Sequence, residues 1–124
     1  MDESQQLASG AMRPFVGSRD FELSSRFYEA LGFELHDVAP RLRMAKKETI
    51  EFLLQDHYQK DWCDNSMIFV EVADATAWWT MIKGVVADPQ FTDAKLQGPR
   101  DEPHGLVTYL SDPSGILWQF TQFQ

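Results

Sequence analysis

One order of elements is written twice in this chain, and that repeat limits the fold more than any other feature. Asp20 precedes the stretch FELSSRFYEALG, in which Leu23, Phe27 and Leu31 recur every four residues and Gly32 stands at the stop position. Asp74 precedes ATAWWTMIKG in the same way, ending on Gly84. Each helical stretch follows an extended segment, RPFVGS in the first copy and MIFVEV in the second. Each is followed by strand patterns. FELHDV, RLRMAK and TIEFLLQ complete the first copy, and GLVTYLSDPSGILWQF supplies a hairpin of two strands to the second. One more strand is required between residues 86 and 98, and PQFTDAKL is the segment assigned to it.

A strand–helix–strand–strand–strand unit covers one face of its sheet with its helix and leaves the other face open. It therefore needs a second unit to complete a core or enclose a cavity. The chain of 124 residues is read as one such pair. Residues 1–12 form a polar, flexible leader and residues 13–124 a single domain. Module one spans 13–56, a polar linker 57–65, and module two 66–124. The cap aspartates are 54 residues apart and the strand ends Phe52 and Phe120 are 68 apart, so the second copy is the longer. The fold class expected is α+β, two βαβββ modules paired into a cup-shaped mixed sheet with the helices outside.

Composition excludes several function classes. The formal net charge of −8 opposes nucleic acid, whose phosphates demand a basic patch, and opposes anionic membranes. No apolar run approaches the ~18 residues of a membrane span. The start, MDESQQLASGAM, lacks the basic-then-apolar pattern of a secretory signal, and a cytoplasmic protein is expected. The single cysteine, Cys63, excludes an internal disulfide and a multi-cysteine metal site. It lies in KDWCDNS with only His57 nearby as a base, and reads as a bystander thiol.

SRDFELSSRFYEALGFEL followed by LVTYLSDPSGILWQF resembles the vicinal oxygen chelate superfamily, the group of glyoxalases, bleomycin-resistance proteins and extradiol dioxygenases. The resemblance covers about residues 13 to 123. The compact length, the KDW linker, the WW helix and the acidic balance are most similar to the bleomycin-resistance type. The resemblance implies a homodimer that exchanges a strand or module between chains, with pockets at the shared interface. It also implies four places, two per module, where family enzymes hold a divalent metal. Carried onto this sequence, they fall on Arg13, Glu51, Met67 and Gln119.

Those four residue types do not make a metal site. Arg has no lone pair to give, Met is a soft thioether, Gln is a poor ligand, and only Glu51 is an ordinary one. The expectation is no metal, no cofactor and no catalytic residue, and the balance leans against an enzyme. Strand alternation supports the placement: Ile50, Phe52 and Leu54 face the helix on one strand and Trp118 and Phe120 on the other, so Glu51 and Gln119 face the cavity.

The candidate ligand-binding set follows from the same faces. Phe15 and Phe69 come two residues after Arg13 and Met67, and Glu71 two after Phe69. Arg13 and Glu51 either pair with each other or orient a ligand. Tyr58 and Trp62 in the linker, and His104 in DEPHG, belong to the rim. Trp78 and Trp79 are adjacent and cannot share one helix face, so one joins the core and the other meets a loop or a partner. The function expected is a small-molecule binding protein of the bleomycin-resistance type, sequestering a cationic or aromatic ligand. A metal-dependent glyoxalase- or dioxygenase-like enzyme and a structural dimer with a vestigial pocket are the alternatives.

Overall fold

The structure is a computed structural model that describes residues 3–124. A short helix α1 (Glu3–Gln6) precedes the first module. That module runs β1 (Phe15–Gly17), α2 (Phe21–Ala30), β2 (Glu34–Ala39), β3 (Leu42–Lys47) and β4 (Ile50–Gln55). A helix α3 (Lys60–Asn65) occupies the connection. The second module runs β5 (Met67–Glu71), α4 (Ala75–Val86), β6 (Lys95–Glu102), β7 (Gly105–Ser111) and β8 (Leu117–Phe123). The strands form two four-stranded sheets, in the orders β1-β4-β3-β2 and β5-β8-β7-β6. The first strand of each module lies parallel to the last, and the other pairs are antiparallel. The α+β class and the duplicated module are as the sequence implies.

The helix ends show why the repeat is legible. Asp20 accepts the Leu23 amide at 3.0 Å, and Asp74 accepts the Ala77 amide at the same distance. Both satisfy an orphan donor of the first turn. Gly32 ends α2 with φ +98, and the Phe33 amide reaches back to the Tyr28 carbonyl, which closes a left-handed C-terminal cap. Gly84 does not play the same part. α4 continues through it to Val86, because Val85 and Val86 still pack against the core.

Two further assignments change. The segment PQFTDAKL is not one strand: Pro89–Phe91 is a 3-10 turn that buries Phe91 against Phe27, and the strand begins only at Lys95. The polar linker 57–65, assigned no regular element from the sequence, carries α3 in its second half, which buries Cys63.

The helix-bearing faces of both modules meet in one core. Phe52 of β4 and Trp118 of β8 lie with ring centroids 5.4 Å apart, and Tyr28 of α2 contacts both rings. Trp78 stacks on Phe120 at 4.4 Å and joins this core, while Trp79 turns away beneath the ammonium of Lys83. The buried hydroxyl of Thr108 donates to the Ala75 carbonyl, and Gln122 Oε1 accepts the Ala75 amide, which ties α4 to β7 and β8.

Candidate binding site

The opposite face of each sheet is not covered by α2 or α4, and α3 borders it only at the β1 end of the first sheet. On the first sheet, β1 and β4 bring Phe15 beside Leu53, with Arg13 just before the strand and Glu51 two residues before Leu53 on β4. Arg13 Nη2 donates to Glu51 Oε1 at 3.0 Å. The pairing continues the parallel register backwards: Arg13 lies two residues before Phe15, as Glu51 lies two before its partner Leu53. On the second sheet, β5 and β8 bring Phe69 opposite Gln119 and Glu71 opposite Thr121. Gln119 Nε2 contacts Met67 Sδ at 3.7 Å.

The four places implied for a metal are thus occupied as two separate pairs, Arg13 with Glu51 and Met67 with Gln119. Among the described residues, no hydrogen bond, ion pair or ring contact joins one pair to the other. An arginine held by the only hard ligand, and an amide turned onto a thioether, do not fit a divalent metal.

Large apolar side chains stand in solvent on these faces. Phe15 is 62% exposed, Met67 68%, Phe69 50% and Phe123 52%. Scattered exposed apolar residues are ordinary, but here they share the two open faces with the polar pairs. Sequence reasoning does not single out Phe123. Its strand position is legible, but its contact with Phe69 at 5.6 Å depends on the β5–β8 register.

The rim residues divide. His104 lies 6.4 Å from both Phe69 and Phe123, completing an aromatic triangle on the second sheet. Trp62 is 65% exposed and faces His57 at 5.8 Å. Tyr58 packs against the core and not over the open faces. Between β1 and α3 lies a cavity of about 330 Å³, which Phe15, Gln55, His57, Gln59 and Trp62 line. Gly17 also borders it, and a Cβ there would come within 2.9 Å of the His57 carbonyl oxygen. Sequence reasoning identifies Phe15 and Trp62 but misses His57, Gln55 and Gln59, whose types carry no signal outside this geometry. The buried Cys63 thiol also borders it, and burial pushes its pKa up, which makes it a poor nucleophile.

Polar bookkeeping singles out the same faces. Among the described residues, two buried side-chain polar atoms have no hydrogen-bond partner, Arg13 Nε and Thr121 Oγ1. One lies on each open face. Buried polar atoms are nearly always satisfied, so this pair is a departure located at the candidate site.

Comparison of the sequence with protein-family models and with curated proteins gives no match. Comparison of the fold does. The chain is similar to a bleomycin-binding protein from Streptomyces verticillus solved with copper(II)-bleomycin, at 19% identity, covering 95% of this chain and 99% of that one, with a TM-score of 0.77. It is similar to an antibiotic binding protein from a Streptomyces species, at 20% identity, 95% and 98% coverage and a TM-score of 0.74. A fosfomycin resistance protein from Mesorhizobium loti matches at 15% identity, 95% and 95% coverage and a TM-score of 0.69. The fold is therefore that of the bleomycin-resistance proteins and their relatives, as the sequence resemblance implies.

Proposed function

We propose that this protein binds a small cationic or aromatic molecule on its open sheet faces, without metal catalysis, and that two copies complete the cup. The observation that carries the reading is the pair of unpartnered polar atoms, Arg13 Nε and Thr121 Oγ1, one on each open face beside exposed aromatic rings. Convergent polar groups among apolar walls are what orient a ligand. The bleomycin-binding and antibiotic binding proteins of the same fold support the class of ligand, and the net charge of −8 favours encounter with a cation.

The second copy follows from the exposed Phe15, Met67, Phe69 and Phe123, which a facing sheet would cover. In this reading the first-module face of one chain opposes the second-module face of its partner. Tyr58, packed half-buried against its own core, takes no part, while Trp62 and His104 remain at the rim.

A thermal-shift series tests the proposal. Bleomycin and planar cationic aromatics should raise the melting temperature with concentration, because a ligand that binds only the folded state stabilises it by mass action. Divalent metals in the same series should leave it unchanged. A rise with manganese or zinc alone, lost on Glu51→Ala, would favour the metal-enzyme alternative.

A further inference from the structure

Thr121 lies in the middle of β8, flanked by β5 and β7, with Glu71 and Val107 as its register partners. Gln122 beside it turns to the helix side and holds the start of α4, so Thr121 points to the open face with Gln119 and Phe123. A residue on an open sheet face should be exposed, yet Thr121 is 0% exposed. Its surroundings on that face are aromatic. Phe69 is aligned with Gln119, two residues before Thr121, and Phe123 stands two residues after it, yet their rings meet at 5.6 Å. That contact spans the Thr121 row, and His104 closes the third side. The rings themselves stay half in solvent, while the hydroxyl beneath them has no hydrogen-bond partner. Glu71, in the same row, is exposed and makes no ion pair among the described residues.

We infer that Thr121, Phe69, Phe123, His104 and Glu71 form a subsite for a flat cationic group bearing N–H donors, of the amidinium or guanidinium kind. The inference rests on the reading of the open faces as a binding surface. Each part of the group has a counterpart. The Phe69 and Phe123 rings accept a cation on their faces. Glu71 balances its charge. Once the half-exposed Phe69 and Phe123 rings part around the ligand, the Thr121 hydroxyl takes an N–H that nothing in the free chain supplies, so an acceptor kept at a cost to folding is recovered on binding. A neutral apolar ring would leave that cost in place, and an anion would meet Glu71.

The planar diamidine dye DAPI is the probe, followed by fluorescence in titration with the full chain, with the anionic dye ANS as competitor. Thr121→Val keeps the shape and removes the hydroxyl, and Thr121→Ser keeps the hydroxyl. DAPI should bind the wild type and the serine variant alike, and the valine variant about tenfold more weakly. The valine variant should melt at the same temperature as the wild type or higher, since an unsatisfied hydroxyl is gone. Glu71→Gln should weaken DAPI, and ANS should not displace it. Equal DAPI affinity in wild type and Thr121→Val overturns the subsite while leaving the wider binding reading intact. A lower melting temperature for Thr121→Val also overturns it, because the hydroxyl is then structural. Absence of DAPI binding to every form, with bleomycin still stabilising the chain, overturns the subsite alone. Absence of both overturns the binding reading as well.

Discussion

The Tyr28 hydroxyl stands 2.5 Å from Asp112 Oδ2 and donates to it, a bond from the helix of the first module to the closing turn of the second. The same hydroxyl accepts from Trp118 Nε1 at 3.0 Å. The other carboxylate oxygen, Oδ1, accepts the amides of Ser114 and Ile116 at 2.8 and 2.9 Å and shapes the Asp-Pro-Ser-Gly turn. All three side chains are buried. The modules are thus joined by a polar network inside an aromatic core, where a half-satisfied partner is costly.

Burial raises the Asp112 pKa to about 6, against the lowering effect of its hydrogen bonds, of which the Tyr28 hydroxyl's is the largest. A folded pKa above the unfolded one means that the protonated form favours folding. The contribution is fully present below about pH 4 and is lost as pH rises through about 6, a change on the order of 3 kcal/mol. The stability of wild type minus that of Asp112→Asn, by urea denaturation at several pH values, should fall between pH 4 and 7. A difference that stays flat across that range would contradict the assignment.

Tyr28→Phe removes the hydroxyl from both of its partners and leaves Asp112 Oδ2 and Trp118 Nε1 buried. The loss should be about 2–4 kcal/mol, from two stranded polar groups in one site. Chemical denaturation measures it directly. A cost below about 0.5 kcal/mol, within the range of an ordinary surface change, would mean that the network does not hold the modules together.

Glu51→Gln should destabilise the chain by about 1–2 kcal/mol, less than a fully buried pair, because the Arg13 side chain is 33% exposed and solvent screens it. A double-mutant cycle with Arg13→Gln isolates the coupling. Coupling near zero would show that the two groups are held for a ligand and not for each other.

The exposed Phe15, Met67, Phe69 and Phe123 predict association. Light scattering at micromolar concentration should return twice the 14.3 kDa of one chain. Phe15→Glu should shift the population towards single chains, since a charge would have to be desolvated at the interface. Particles of one chain's mass throughout that range would remove the second copy from the proposal.

Signals carried by neighbouring residues are legible in the sequence. Asp20 and Asp74 cap their helices with their own side chains, and Gly32 takes the left-handed conformation that only glycine enters freely. Alternation along β4 and β8 separates Phe52, Leu54, Trp118 and Phe120, all buried, from Glu51 and Gln119. These features depend on residues close along the chain, so the chain can be read for them directly. Features that depend on distant partners emerge only in the folded chain. Gly84 stays helical because Val85 and Val86 meet the core, and Phe91 forms a turn, not a strand, because Phe27 is there to receive it. Arg13 and Glu51 pair through a parallel register 38 residues apart. Thr121 reads in the sequence as an ordinary β-branched strand residue. Its burial and its unanswered hydroxyl belong to the assembled sheet, where the register of β5 and β8 also brings Phe69 to Phe123, because no local periodicity encodes which side chains two separate strands bring into contact.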